Sequence, residues 1–234
     1  MLFIDYDNLL GSHKQAGVLD VVTSALLMEP LRTSHSVGHC DVRVYGGWYE
    51  GSKLTPLAQQ VSVQLQSIFP AIIRCPTTLD QICALSAEAE MAYALSEEPG
   101  HHLLDTFRRK RVPTNIKCVE PTTAGCQESS CSLAFLPVFL VSGKCPNATC
   151  NISIEDLLFR NEQKLVDTML TCDIIYSTRQ NCDLIIAVSG DDDLLPAVRT
   201  ALLNGTPVRR IRPKAYLQPT VFPSGGALFS EHVL

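Results

Sequence analysis

Apolar residues recur along the chain with two different periods, and the switching between them sketches an α/β fold. Residues 2–4 (Leu-Phe-Ile) form a short apolar run closed by Asp5, the pattern of a buried strand with a carboxylate at its tip. A helix is predicted over 18–28, and 41–45 (DVRVY) alternates like a strand until Gly46-Gly47 breaks it. Leu57, Val61, Leu65 and Ile68 share one face of a helix over 54–68, and 71–74 reads as a third strand. Helices are predicted over 79–95, closed by Pro99-Gly100, and over 101–110, with a strand at 115–119. Helical spacing resumes near 157 and runs to about 178. Residues 183–189 (DLIIAVS) are continuously apolar, as in a strand covered on both faces. A helix over 194–203 stops at Asn204-Gly205, a strand occupies 207–211, and the chain from Arg212 onward is expected to wrap the surface. Strands alternating with helices predict an α/β, doubly wound, mainly parallel sheet with helices on both faces.

One stretch breaks this rhythm. From about 120 to 155, Pro, Thr, Gly, Ser and Cys crowd together, so the sheet-forming pattern divides into 1–119 and 156–214, with a Cys-rich insertion at 120–155 and a C-terminal extension at 215–234. A chain of 234 residues suits one sizeable domain carrying such a module. No apolar run approaches the roughly 20 residues of a membrane span. The start, Met1-Leu2-Phe3-Ile4-Asp5, lacks the basic and apolar regions of a signal peptide. The expectation is a cytoplasmic protein.

That compartment changes the reading of the ten cysteines, since five structural disulfides are not expected there. Cys40, Cys75, Cys83, Cys172 and Cys182 are scattered and read as small core residues. Cys126-x4-Cys131 and Cys145-x4-Cys150 instead form a symmetrical pair of pairs, with Gly125 and Gly143 set before them. Four thiolates at such spacing predict a closed, structural Zn²⁺ site, with Cys118 as a substitute ligand. Free or disulfide-linked thiols are the alternative.

Carboxylates carry the candidate chemistry. Asp5 ends the first strand, Asp191 and Asp193 follow the buried strand at 183–189, and Asp167 lies in the helix leading into that strand. Ligands in open parallel sheets bind outside the carboxyl ends of strands, so these acids are expected to converge. Carboxylates that close need a compensating cation, and oxygen ligands without nearby His or Cys favour Mg²⁺ or Mn²⁺. The bland alternatives are a helix cap at Asp192 or Asp193, turn acids at Asp5 and Asp7, and a solvated Asp167. A metal-dependent phosphatase fits the same spacing.

Four ordered blocks narrow this choice: Phe3-Ile4-Asp5-Tyr6-Asp7-Asn8, Val44-Tyr45-Gly46-Gly47-Trp48, Glu162-Gln163-Lys164-Leu165-Val166-Asp167 and Val188-Ser189-Gly190-Asp191-Asp192-Asp193-Leu194. Together they resemble the NYN domain family, LabA-like members of the PIN-like nucleases. The resemblance covers most of the chain outside about 120–155. It departs from the family at Leu194, where an aromatic is usual, and at Asp192, which adds a carboxylate whose role as a ligand is open. It implies a PIN-like Rossmannoid sheet and a metal-dependent endoribonuclease in which Asp5, Asp167, Asp191 and Asp193 hold Mg²⁺ or Mn²⁺. Asn8 would position a phosphate or a metal-bound water, and Lys164 would reach the phosphate or temper the acids by ion pairing. Structured RNA such as tRNA, and a bacterial regulatory or defence setting, are implied by the family alone.

Net charge barely alters this picture. With 19 Lys and Arg against 24 Asp and Glu the chain carries −5, which excludes a histone-like polycation but not a basic face. Arg108, Arg109, Lys110, Arg111 and Lys117 form one basic segment; Arg209, Arg210, Arg212 and Lys214 form another. RNA backbone contact is the functional reading of both. A solvated face or a protein-partner surface is the other, and the partners expected are RNA and a protein or second copy of the chain. Trp48 and Tyr49 are candidates for stacking on a base, though packing is the commoner use of such a Trp. The competing function is a nuclease-derived scaffold without catalysis, binding RNA or protein.

Overall fold

A computed structural model of the chain describes residues 1–110, 116–128, 130–163, 165–215, 220, 222 and 228–234, with backbone only at 109–110 and 160–163. Contacts divide it into two compact units, Met1–Thr106 with Gln163–Leu234, and Phe107–Glu162.

The first unit opens with β1 (Leu2–Asp5), α1 (Gly11–Ala16), α2 (Val18–Leu27) and β2 (Val37–Tyr45). A small hairpin, β3 (Tyr49–Glu50) with β4 (Lys53–Leu54), leads to α3 (Pro56–Ile68), β5 (Ala71–Pro76) and β6 (Ile82–Met91). The second unit contains β7 (Phe107–Lys110), α4 (Leu136–Ser142), α5 (Ile154–Leu157) and β8 (Arg160–Gln163), whose last residue crosses back into the first. The first unit then resumes with α6 (Val166–Ser177), β9 (Ile185–Val188), a 3₁₀ turn at Asp192–Leu194, α7 (Leu195–Leu203), β10 (Val208–Arg212) and β11 (Phe229–Val233).

Seven strands form one sheet in the order β11-β10-β9-β1-β2-β6-β5. Every neighbouring pair is parallel except β5 with β6. The fold is therefore α/β with a mostly parallel sheet. Side chains alternate across it: Leu2 and Ile4 join a core that includes Val18, Val22, Val61 and Leu65 of α2 and α3, whereas Phe3 joins Met169, Leu170, Ala197 and Val198 of α6 and α7. Helices thus cover both faces. On α3, Thr55 caps the amide of Ala58 (3.2 Å), Pro56 opens the first turn, and Ala58, Val61 and Leu65 are buried.

Five predicted features are corrected. Residues 79–95 form no helix, because β6 runs through them. Ala, Glu, Leu and Met favour helix, but Cys83, Leu85, Ala87 and Met91 alternate inward at period 2, and pairing with β2 and β5 decides the outcome. Residues 101–110 are likewise not helical, since they end in β7, and 116–119 carry no strand, residue 115 lying outside the described residues. The chain's end does not merely wrap the surface: Phe229–Val233 pairs parallel to β10. Helical spacing read from 157 begins only at Val166, after β8. Among the described residues no helix is long and apolar enough to cross a membrane.

Candidate functional site

The chain steps outward from β1 through β2 to β6, then returns to the other side of β1 with β9, so strand order reverses between β1 and β9. A crevice at such a reversal lies beyond the strands' carboxyl ends. Asp5 and Ser189 stand there. Asp5 is buried, and Ser189 Oγ donates to its Oδ2 at 2.8 Å. Asn8 adds two bonds, its side-chain amide to Oδ2 (2.8 Å) and its backbone amide to Oδ1 (3.3 Å). Burial pushes the Asp5 carboxyl up, the bonds from Ser189 and Asn8 pull it back, and the charge of Asp7 raises it further. Ser189 Oγ also accepts from the backbone amide of Asp191 (3.0 Å), so one hydroxyl couples the two acidic loops.

Asp191 is itself the cap of the 3₁₀ turn, its Oδ1 accepting from the amide of Asp193 at 2.9 Å. The capping alternative named for Asp192 or Asp193 falls instead to Asp191. Asp193 is exposed, and Asp167 lies half-buried in the first turn of α6. The Asp167 carboxyl is pushed up to about 6, by burial first and then by the charges of Asp5, Asp191 and Asp193. Among the described residues no Lys or Arg forms a salt bridge with these four acids. They repel one another without an ion pair among the described residues, and their hard oxygen donors fit a Mg²⁺ or Mn²⁺ ion. They are gathered at electrostatic range, not tighter: no three His, Cys, Asp or Glu among the described residues form a metal-holding group.

Asp192 points elsewhere. Its Oδ1 accepts from Arg210 (2.9 Å) and Arg212 (3.0 Å), and the Arg210 bond and both guanidinium charges hold its carboxyl below the usual range. The Asp192 carboxylate is therefore a structural tie to the buried arginines. Arg210 also donates to the Asp191 carbonyl at 2.7 Å. This overturns the reading of Arg209, Arg210 and Arg212 as a surface for RNA: all three are buried. Arg209 closes the end of α2, donating to Ala25 O (3.2 Å) and Glu29 O (3.2 Å). Replacing Arg210 with Met should lower stability by about 2 kcal/mol through the lost charged hydrogen bonds. Urea unfolding checks this; an unchanged midpoint would restore the surface reading.

The turn after β2 braces the site. Asp7 Oδ2 accepts from the amide of Gly47 (2.7 Å), and a Cβ on Gly46 would lie 2.7 Å from Trp48 Cη2 and 3.0 Å from Asp7 Oδ2. That close approach explains the glycine. Trp48 is fully buried, its Nε1 donating to Val44 O (3.1 Å), so it packs and cannot stack on a base.

Lys164 and Arg111 lie outside the described residues. Arg108 is half-buried on β7 in the second unit, where Arg109 also lies. Cys126, Cys131, Cys145 and Cys150 are free, half-buried thiols, and Cys118 is exposed. Among the described residues these sulfurs are not drawn into a metal-holding group, so the predicted zinc finds no support in their geometry. Cys172 is exposed and Cys182 half-buried, unlike core cysteines Cys40, Cys75 and Cys83.

Sequence reasoning missed Ser189, the hinge between both loops, although the Ser-Gly-Asp motif contained it. It also missed a buried network in which Tyr45 Oη donates to Asp173 of α6 at 2.6 Å. A cavity of about 650 Å³ opens at the amino ends of the strands, lined by Met1, Leu31, His39, Cys40, Asp183 and Arg209 among others, and includes none of the four acids. Comparison with protein families, curated proteins and solved structures finds no match.

Proposed function

We propose that this chain is a metal-dependent endoribonuclease of the NYN kind, built on a PIN-like form of its parallel sheet. One observation carries the reading: Asp167 feels the charges of Asp5, Asp191 and Asp193 where the strand order reverses. Asp5, Asp167, Asp191 and Asp193 would hold one or two Mg²⁺ or Mn²⁺ ions. When bound, such an ion activates water and offsets charge on the scissile phosphate. Ser189 and Asn8 fix the orientation of Asp5, so that carboxylate is pre-set before substrate arrives. Arg210 holds this loop through one nitrogen that bonds both the Asp191 carbonyl and the Asp192 carboxylate. Lys164, Arg108, Arg109 and Arg111 are the proposed phosphate contacts, and tRNA or another structured RNA the proposed substrate. No step of this chemistry runs through zinc.

A second reading has its own support. Because among the described residues no three acids stand at metal-holding distance, a silent scaffold that binds RNA or protein also fits. One experiment separates the two. Labelled tRNA and unstructured RNA are incubated with the protein in Mn²⁺, Mg²⁺ or EDTA, beside Asp191→Asn. The nuclease cuts with metal, loses cutting by at least about 100-fold in the variant, and retains RNA binding. Absence of cutting with either metal rejects the enzyme; cleavage of small phosphomonoesters alone marks a phosphatase.

A further inference from the structure

Lys14, in the short helix α1, reaches back to the loop that follows β1. Its Nζ donates to the Asp7 carbonyl oxygen at 3.2 Å and stands 5.3 Å from the centre of the Tyr6 ring. Tyr6 is buried, so the ring is a fixed floor, whereas Lys14 is only half-buried. A lysine at the surface ordinarily keeps its rotamer freedom. Here a carbonyl and an aromatic face restrain the ammonium, and α1 has no buried residue of its own to drag the side chain into place.

The bond to Asp7 also fixes the distance from the acids. The Asp7 carbonyl and the Asn8 amide are two ends of one peptide group, and that amide donates to Asp5 Oδ1 at 3.3 Å. A trans peptide is planar and points its C=O and N–H in opposite directions, so the ammonium and the Asp5 carboxylate lie on opposite sides of it. The two bonds and the width of the peptide hold Lys14 Nζ within about 9 Å of Asp5 Oδ1.

Charge supplies the ligand. Among the described residues Lys14 forms no ion pair, and only one of its three N–H donors is used. Arg210 and Arg212, the other described cations bonded to the acid-bearing loops, are buried and spent on Asp192 and Thr220. A polyanionic strand that brings one phosphate to the four acids meets their repulsion, and an ion on those acids offsets it for that phosphate. The next phosphate along the strand needs a cation of its own. Lys14 stands about one phosphate-to-phosphate step away, with the peptide between it and the Asp5 carboxylate and two donors open.

We propose that Lys14 holds the phosphate next to the scissile one, so that the substrate of this site is a chain of at least two phosphodiesters. The proposal rests on the nuclease reading and adds a residue to it, since the sequence placed the phosphate contacts on Lys164 and the 108–111 segment. A point charge on a flexible stem reads no base, so the contact selects for a polymer and not for a sequence.

The test uses the full-length protein and a short oligoribonucleotide. In the Asp191→Asn background, Lys14→Met should weaken binding about 10-fold and lower the slope of log Kd against log salt by about 0.7, while Lys14→Arg restores both. In the active protein with Mn²⁺, Lys14→Met should raise KM for the oligoribonucleotide more than it lowers kcat. The loss should shrink on a dinucleoside monophosphate, which has no second phosphate. If the parent binds and cuts but Lys14→Met keeps its affinity and salt slope, the proposal is wrong and the nuclease reading survives. The same holds if the variant loses equally on both substrates, because the lysine is then only a tie on the Asp5 loop. If the active protein cuts no RNA with either metal, both readings fall together.

Discussion

Asp167→Asn should make the metal-free protein more stable while removing its cleavage of RNA. The carboxyl is raised from 3.8 to about 6 by burial and by three neighbouring acids, so ionising it in the folded state is unfavourable. A carboxyl whose folded pKa stands above its unfolded value is most stabilising when protonated. Its contribution is complete below 3.8 and is lost as pH rises through about 6. Asparagine removes the ionisation, so the variant's gain over the parent grows across that window and is complete above it. Allowing for solvent screening of a half-exposed group, the gain at pH 8 is about 1 kcal/mol, or roughly 3 °C in Tm. Below about pH 4 the two proteins should melt together. Mn²⁺ should invert the ranking, stabilising the parent increasingly above pH 6 because the cation replaces the proton, and stabilising Asp167→Asn much less. Thermal melts in EDTA and in Mn²⁺ across pH 4–8 read all of this. Equal melting at pH 8 with equal Mn²⁺ shifts would show that Asp167 does not share a site with the other acids.

Asp5, Asp191 and Asp193 were legible because they close apolar runs at strand ends, and the reversal of strand order requires such ends to meet, whereas Asp167 stands in the first turn of α6. Asp5 and the 189–191 turn are therefore neighbours by topology. What the sequence hid was direction. A count of basic residues made Arg209, Arg210 and Arg212 a surface tract, yet β10 is buried along its whole length and turns all three inward. Once they are inside, the extra carboxylate Asp192 has a reason to exist: it pairs with two buried guanidinium groups. The misread helix at 79–95 failed for a different cause, since its helix-forming residues also alternate, and only a partner strand decides between the periods.

Asp173→Ala should be the most destabilising single change in the first unit. Asp173 lies in α6, six positions after Asp167, and is 1% exposed. Its Oδ2 accepts from Tyr45 Oη (2.6 Å) and its Oδ1 from the amide of Ser96 (2.8 Å). Arg43 Nε lies 3.4 Å from the same carboxylate, and its guanidinium also bonds Tyr45 Oη, the Ala94 carbonyl and Glu90. Burial above all, and the Asp173 charge with it, keeps the Tyr45 hydroxyl well above its ordinary pKa, so it remains a donor. Removing the carboxylate leaves a buried guanidinium, a hydroxyl and an amide short of partners at once. Breaking a buried pair from one side costs about 3–5 kcal/mol, a large share of the roughly 5–15 kcal/mol that holds a domain together. Asp173→Asn keeps the volume and an acceptor and should lose about half as much. Arg43→Met with Asp173→Leu removes both charges and should recover most of the loss, because the desolvation penalty of the pair disappears with it. Urea midpoints of the three variants distinguish the cases. A loss below about 1 kcal/mol in Asp173→Ala would mean that the network is decoration on α6. The expected loss makes it the tie that fixes α6, and Asp167 with it, against β2.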